Sequence, residues 1–134
     1  MMKFATPALA LAALGLSGAL APASAQTVSY CGGTVVANSF YSNVLSNGST
    51  ASVEYHGQFQ NQDQGRRKMR VTVTRLDRIG NFRVLRIISS FDLNPYQQTD
   101  VNVLTLHVDN PGGSGAPTPA SVGQQLRLFC NPTS

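Results

Sequence analysis

Arg66-Arg67-Lys68-Met69-Arg70-Val71-Thr72-Val73-Thr74-Arg75-Leu76 leads through Asp77-Arg78-Ile79-Gly80 into Phe82-Arg83-Val84-Leu85-Arg86-Ile87-Ile88. Met69, Val71 and Val73 alternate with Arg70, Thr72 and Thr74. Period-two alternation with β-branched residues marks a half-buried strand. Phe82 and Val84 begin a second strand in the same way. It then turns apolar on both faces through Leu85, Ile87 and Ile88, which predicts either a strand covered on both sides or a bulge. Gly80 supplies the positive φ that a hairpin loop needs. The expectation is therefore a β-hairpin with Asp77–Gly80 as its connection.

The same stretch carries most of the positive charge. Arg66, Arg67, Lys68, Arg70, Arg75, Arg78, Arg83 and Arg86 stand against a single acid, Asp77, a net +7. After residue 25, the remaining charges outside the stretch are Arg127 against Glu54, Asp63, Asp92, Asp100 and Asp109, a net −4. Such asymmetry fits polyanion binding or pairing with an acidic patch on another copy. A solvated strand face whose charges keep an edge from aggregating has the same composition.

Residues 1–25 read as a cleaved secretory signal peptide. Lys3 is the charged end, Phe4 to Ala21 the apolar run, and Ala23-Ser24-Ala25 the cleavage site, so the mature chain would begin at Gln26. No twin arginine precedes the run, which favours the general secretory route, with a periplasmic, extracellular or cell-surface destination. Residues 26–134 are the length of one domain, and no segment in them is apolar for long enough to span a membrane.

Cys31 and Cys130 are the only cysteines. In an exported chain an even count predicts a disulfide. It would join the first strand to the last and close a loop worth about 4.7 kcal/mol in the chain-entropy account.

Strand signals continue outside the basic stretch. Gln26 to Cys31 is a short strand broken by Gly32-Gly33, and Thr34 to Leu45 is one long irregular strand or two short ones. Asn47-Gly48 fits the central positions of a type I′ turn. Thr50 to Gln60 returns with Ala51, Val53, Tyr55 and Phe59 on one face. Pro95 ends regular structure after Phe91. Thr99 to Asp109 changes face near Val103, which predicts a bulge there. Asn110 to Ala120 (NPGGSGAPTPA) is a loop, long for a domain this small. Ser121 to Cys130 reads as the last strand, with Val122, Leu126, Leu128 and Cys130 on one side. No amphipathic helix stands out. The fold expected is all-β: a single antiparallel sandwich or small barrel of about seven strands.

No motif names a reaction. Ser114 lies in a flexible Gly-rich loop rather than the strand-to-helix turn of a nucleophile elbow. Few carboxylates are available to pair as acid and base, so the expectation is a non-enzymatic protein without a cofactor. Glu54-x-His56 and His107-x-Asp109 are weak metal-ligand candidates that would need their strands to be neighbours. The leading expectation is binding or assembly at the cell surface through the basic hairpin. The partner would be an anionic glycan, a lipid head group or a second copy building a fibre or matrix. The alternative is an inhibitor or partner-binding module acting through loop 110–120. Nucleic acid is not expected, because aromatics do not interleave the basic run on its exposed face and the chain is read as exported.

Overall fold

A computed structural model describes residues 27–133. The expected signal peptide, 1–25, and its cleavage site lie outside the described residues. The strands are β1 (Val28–Tyr30), β2 (Val35–Asn47), β3 (Thr50–Asn61), β4 (Met69–Val73), β5 (Arg78–Ile79), β6 (Phe82–Ile87), β7 (Ser90–Leu93), β8 (Gln98–Val108) and β9 (Leu128–Pro132). One short helix, α1 (Pro119–Gln125), precedes β9. The strands form two antiparallel sheets, a six-stranded one in the order β1-β2-β3-β8-β6-β5 and a three-stranded one in the order β9-β4-β7.

The six-stranded sheet is built on β3, whose side chains alternate without a break. Ala51, Val53, Tyr55, Gly57, Phe59 and Asn61 are buried, and the residues between them are half-exposed. β2 pairs with β3 along its whole length as one long strand with a bulge between Ala37 and Ser39. Asn47 pairs with Thr50, so the two-residue loop is Gly48-Ser49, and Gly48 takes φ +81°. Ser49 is not in the left-handed region. The turn thus needs one positive φ, at its first central residue, and is one residue later than the Asn-Gly signal implies. The bulge expected in β8 is present. Tyr55 pairs with Leu104 and His56 with Asn102, leaving Val103 as the extra residue.

The basic stretch is not a single hairpin. β4 lies between β9 and β7 in the small sheet, whereas β6 pairs with β8 in the large one. The chain leaves the small sheet after Val73, makes a tight β5–β6 ribbon, and returns at Ser89, whose carbonyl accepts from the Val73 amide at 2.9 Å. Period-two alternation dictates which face of a strand is buried, not which strand lies beside it. Met69, Val71 and Val73 therefore meet the core from one sheet, while Val84 and Ile87 pack on it from the other. The double-apolar run in β6 reflects a bulge. Val84 pairs with Leu106 and Arg86 with Thr105, which leaves Leu85 extra and 42% exposed.

The Ser121–Cys130 expectation is also corrected. Thr118 caps α1, its hydroxyl oxygen accepting from the Ser121 amide at 3.2 Å, and Pro119 follows in the first turn. A Thr cap followed by Pro is a helix-start signal, and the four-residue spacing of Val122 and Leu126 is helical. Both residues are buried.

Aromatic packing fills the space between the sheets. Phe59 lies 5.8 Å from Phe40, 6.0 Å from Tyr30 and 5.0 Å from Phe91, centroid to centroid. Cys31 and Cys130 form the expected disulfide with Cα atoms 6.1 Å apart. It ties the turn after β1, at one edge of the large sheet, to β9, at the edge of the small one. No helix among the described residues is long and apolar enough to cross a membrane.

Candidate functional site

The eight basic residues divide into two groups. Of those near the small sheet, Arg67 and Arg70 help to hold the structure. Arg67 grips Asp63 through both oxygens, at 3.0 and 3.1 Å, and its backbone amide adds a bond of 3.1 Å. These bonds hold the Asp63 carboxyl below the usual carboxylate range. Buried Asn61 ties the same loop together. Its amide donates to the carbonyls of Arg67 and Leu93, and its oxygen accepts from the Asp63 amide. Arg70 faces Asp92 across β4 and β7 at 2.7 Å, which lowers the Asp92 carboxyl likewise. Arg75 meets Asp77 at 3.3 Å in full solvent. Arg66 lies over the Tyr96 ring at 5.5 Å, and both residues take positive φ, 57° and 59°. The Lys68 side chain has no partner among the described residues.

The second group lies on the large sheet. Arg78 and Arg83 are direct cross-strand partners in the β5–β6 ribbon. Like charges directly opposite one another destabilise an antiparallel pair. Neither arginine has a carboxylate within ion-pair distance among the described residues; Arg78 donates only to the Asn81 carbonyl, at 3.2 Å. Gly80, at φ +61°, makes the tight turn that brings the two together. Arg86 lines a separate, shallower depression with Glu54, Ser52 and Thr105.

Arg78 and Arg83 border an open groove of about 500 Å³. Phe82 and Val108 contribute apolar surface to it, while Asn81, His107, Asp109, Asn110 and Ser114 contribute polar groups. Its far wall is the Pro/Gly loop. That loop is tied down: Ser46 donates to the Pro111 carbonyl, Tyr55 to the Pro117 carbonyl at 2.8 Å, and Asn110 to the Ser114 carbonyl at 3.2 Å. Gly113 sits so close to Val44 that an added Cβ would lie 3.1 Å from its methyl groups. The groove thus combines Arg78 and Arg83 of the basic stretch, the loop, and the His107–Asp109 pair, bonded at 3.0 Å. Asn81 joins them without any sequence signal of its own, and Phe82 and Val108 carry only strand signals.

The proposed meeting of His56 and His107 does not occur. Their strands are neighbours, but Ser52 is the residue opposite His107. His56 is therefore four residues farther along β3, roughly 13 Å by strand rise. No group of three or more His, Cys, Asp or Glu among the described residues is arranged to hold a metal ion. Instead His56 contacts Asp100 at 3.0 Å and Glu54 at 3.4 Å, and stacks on Tyr41 at 4.8 Å. Tyr41 donates to the other Asp100 oxygen at 2.5 Å, which raises its hydroxyl pKa. Tyr41 and Asp100 could be associated with His56 only once strand order and the β8 bulge were known.

The chain matches no protein-family model, no curated protein and no solved structure.

Proposed function

We propose that this protein is an exported, non-enzymatic binding module that holds an anionic polymer or head group of the cell envelope between Arg78 and Arg83. The carrying observation is the opposed arginine pair, left without acids at the rim of a groove. Two guanidinium forks on adjacent strands present many fixed donors to a carboxylate, sulfate or phosphate. A bound anion would relieve their mutual repulsion, so ligand binding and ribbon stability are coupled. The reading of export rests on the sequence of residues 1–25, with which a disulfide is consistent.

Binding of dextran sulfate to the purified, disulfide-bonded protein tests this, measured by calorimetry over a salt series. Arg78→Glu with Arg83→Glu is expected to abolish binding. Lys68→Glu with Arg127→Glu changes the net charge equally but touches no groove residue, and is expected to reduce affinity only modestly. Equal losses in the two double variants would sink the site assignment.

A partner-binding role for the loop draws on the same wall. Its anchoring to β2 and β3 lowers the ordering cost of binding. The same anchors mean that deleting Gly112 to Ala116 would lower the melting temperature as well as remove a binding surface, because Gly113 and Ala116 pack against the body of the domain.

A further inference from the structure

We infer that the ligand of this groove is an acidic saccharide, a sugar chain bearing carboxylate or sulfate groups beside free hydroxyls; the inference rests on the anion-binding reading above. The groups that accompany the arginines favour such a ligand. Asp109 lines the same groove, on the strand end next to β6. A densely charged phosphate polymer laid there would meet that carboxylate as well as the two guanidinium groups. Repulsion would then oppose part of the attraction. A ligand whose negative groups are spaced by hydroxyls meets no such conflict. Its acid groups face Arg78 and Arg83, and its hydroxyls donate to Asp109, whose ionised oxygens only accept.

The remaining lining fits the same chemistry. Asn81, Asn110 and Ser114 carry both donors and acceptors, as a hydroxyl requires. Half-buried Phe82 gives an apolar surface for the C–H face of a sugar ring. A groove of about 500 Å³ is within the usual size of small-ligand sites. His107 holds Asp109 from the side, its Nε2 3.0 Å from the carboxylate. The side chain of Asp109 is 92% exposed, so its oxygens are open to the hydroxyls of a ligand. A phosphatidic acid head group shares the anionic part of this chemistry but carries no sugar-like hydroxyls.

The test compares three probes on the purified protein at one salt concentration: polygalacturonate, inorganic polyphosphate, and vesicles of phosphatidic acid in phosphatidylcholine. The wild type is expected to bind polygalacturonate at least tenfold more tightly than either of the others. Asp109→Asn keeps the shape but removes the charge, and is expected to shrink the polygalacturonate-to-polyphosphate preference at least fivefold. Circular dichroism and the melting temperature check that each variant is folded. A wild type that binds polyphosphate or vesicles as well as polygalacturonate overturns the inference, as does a preference untouched by Asp109→Asn. In both cases the anion-binding function stands, provided Arg78→Glu with Arg83→Glu still abolishes binding. If that double variant binds every probe as the wild type does, the function and the inference fall together.

Discussion

Phe40 has no free space on either face. A Cβ added to Gly57 would lie 2.9 Å from its ring, and one added to Gly123 would lie 2.4 Å from it. These glycines are present for lack of a side chain rather than for an unusual φ, since neither is left-handed. Gly123→Ala should thus behave as an overpacking change, costing about 1–3 kcal/mol. Chemical denaturation would measure it, and Phe40→Leu in the same chain should recover part of the loss. No sequence pattern could have marked these two residues. Their role depends on which element lies across from them, and α1 was itself hidden. Carboxylates set the acid limit at the same scale. Asp63 and Asp92 are both depressed, each chiefly by a side-chain hydrogen bond from its arginine, Arg67 and Arg70 respectively. A carboxylate depressed in the fold adds stability above its unfolded pKa and loses it as pH falls through its folded value. The denaturation midpoint should therefore drop below about pH 4, and Asp63→Asn should flatten that drop. An Asp63→Asn midpoint with the same acid slope as wild type would discount this ion pair.

The β5–β6 ribbon is the element in which local stability and the proposed function disagree. Arg83→Glu places an opposite charge beside Arg78 across the ribbon. It should stabilise the protein by about 0.2–1 kcal/mol while removing anion binding. A gain in stability joined to a loss of binding is the mark of a residue kept for its ligand. A loss of both would mean that Arg83 serves the fold. In α1 the balance is simpler. Thr118→Ala removes the cap on the Ser121 amide and should cost about 1 kcal/mol by thermal melting. Elements with strong alternation, β3 and β4 above all, were legible because a half-buried strand repeats every two residues. The β2 strand and the Val103 bulge were legible for the same reason, the bulge as a break in phase. Pairing was not legible. β4 and β6 carry similar patterns, and local sequence does not say that the chain crosses between sheets at Thr74 and returns at Ser89. The basic cluster consequently looked like one surface when it is two. Arg67, Arg70 and Arg75 are paired with acids, whereas Arg78 and Arg83 face each other without one among the described residues.

For the molecule as a whole, the disulfide and the charge layout make separate claims. Cys31, in the turn after edge strand β1, is bonded to Cys130 on edge strand β9 of the other sheet, 99 residues away in sequence. Among the described residues, β9 has only β4 as a strand neighbour. Replacing both cysteines with Ala should cost about 2–5 kcal/mol, and hydrogen exchange should rise first in β9. Uniform exchange across both sheets would instead assign the effect to the unfolded chain. Charge bears on assembly. Of the six acids, Asp63, Asp77 and Asp92 are paired with arginines, Asp109 with His107, and Glu54 and Asp100 with His56. Each acid already has a basic or imidazole partner within the chain, so the arginines of a second copy would have to compete with it, least so at exposed Asp77 and Asp109. Light scattering of the purified protein should therefore give the mass of a single chain at both low and high salt. The proposed ligand, rather than another copy, then occupies Arg78 and Arg83. Assemblies that dissolve in salt and vanish in Arg78→Glu with Arg83→Glu would reverse that assignment, making the ribbon an interface between copies. Assemblies that persist in the double variant would point to a contact elsewhere, and exposed Phe129 on β9 is the large apolar side chain most open to one.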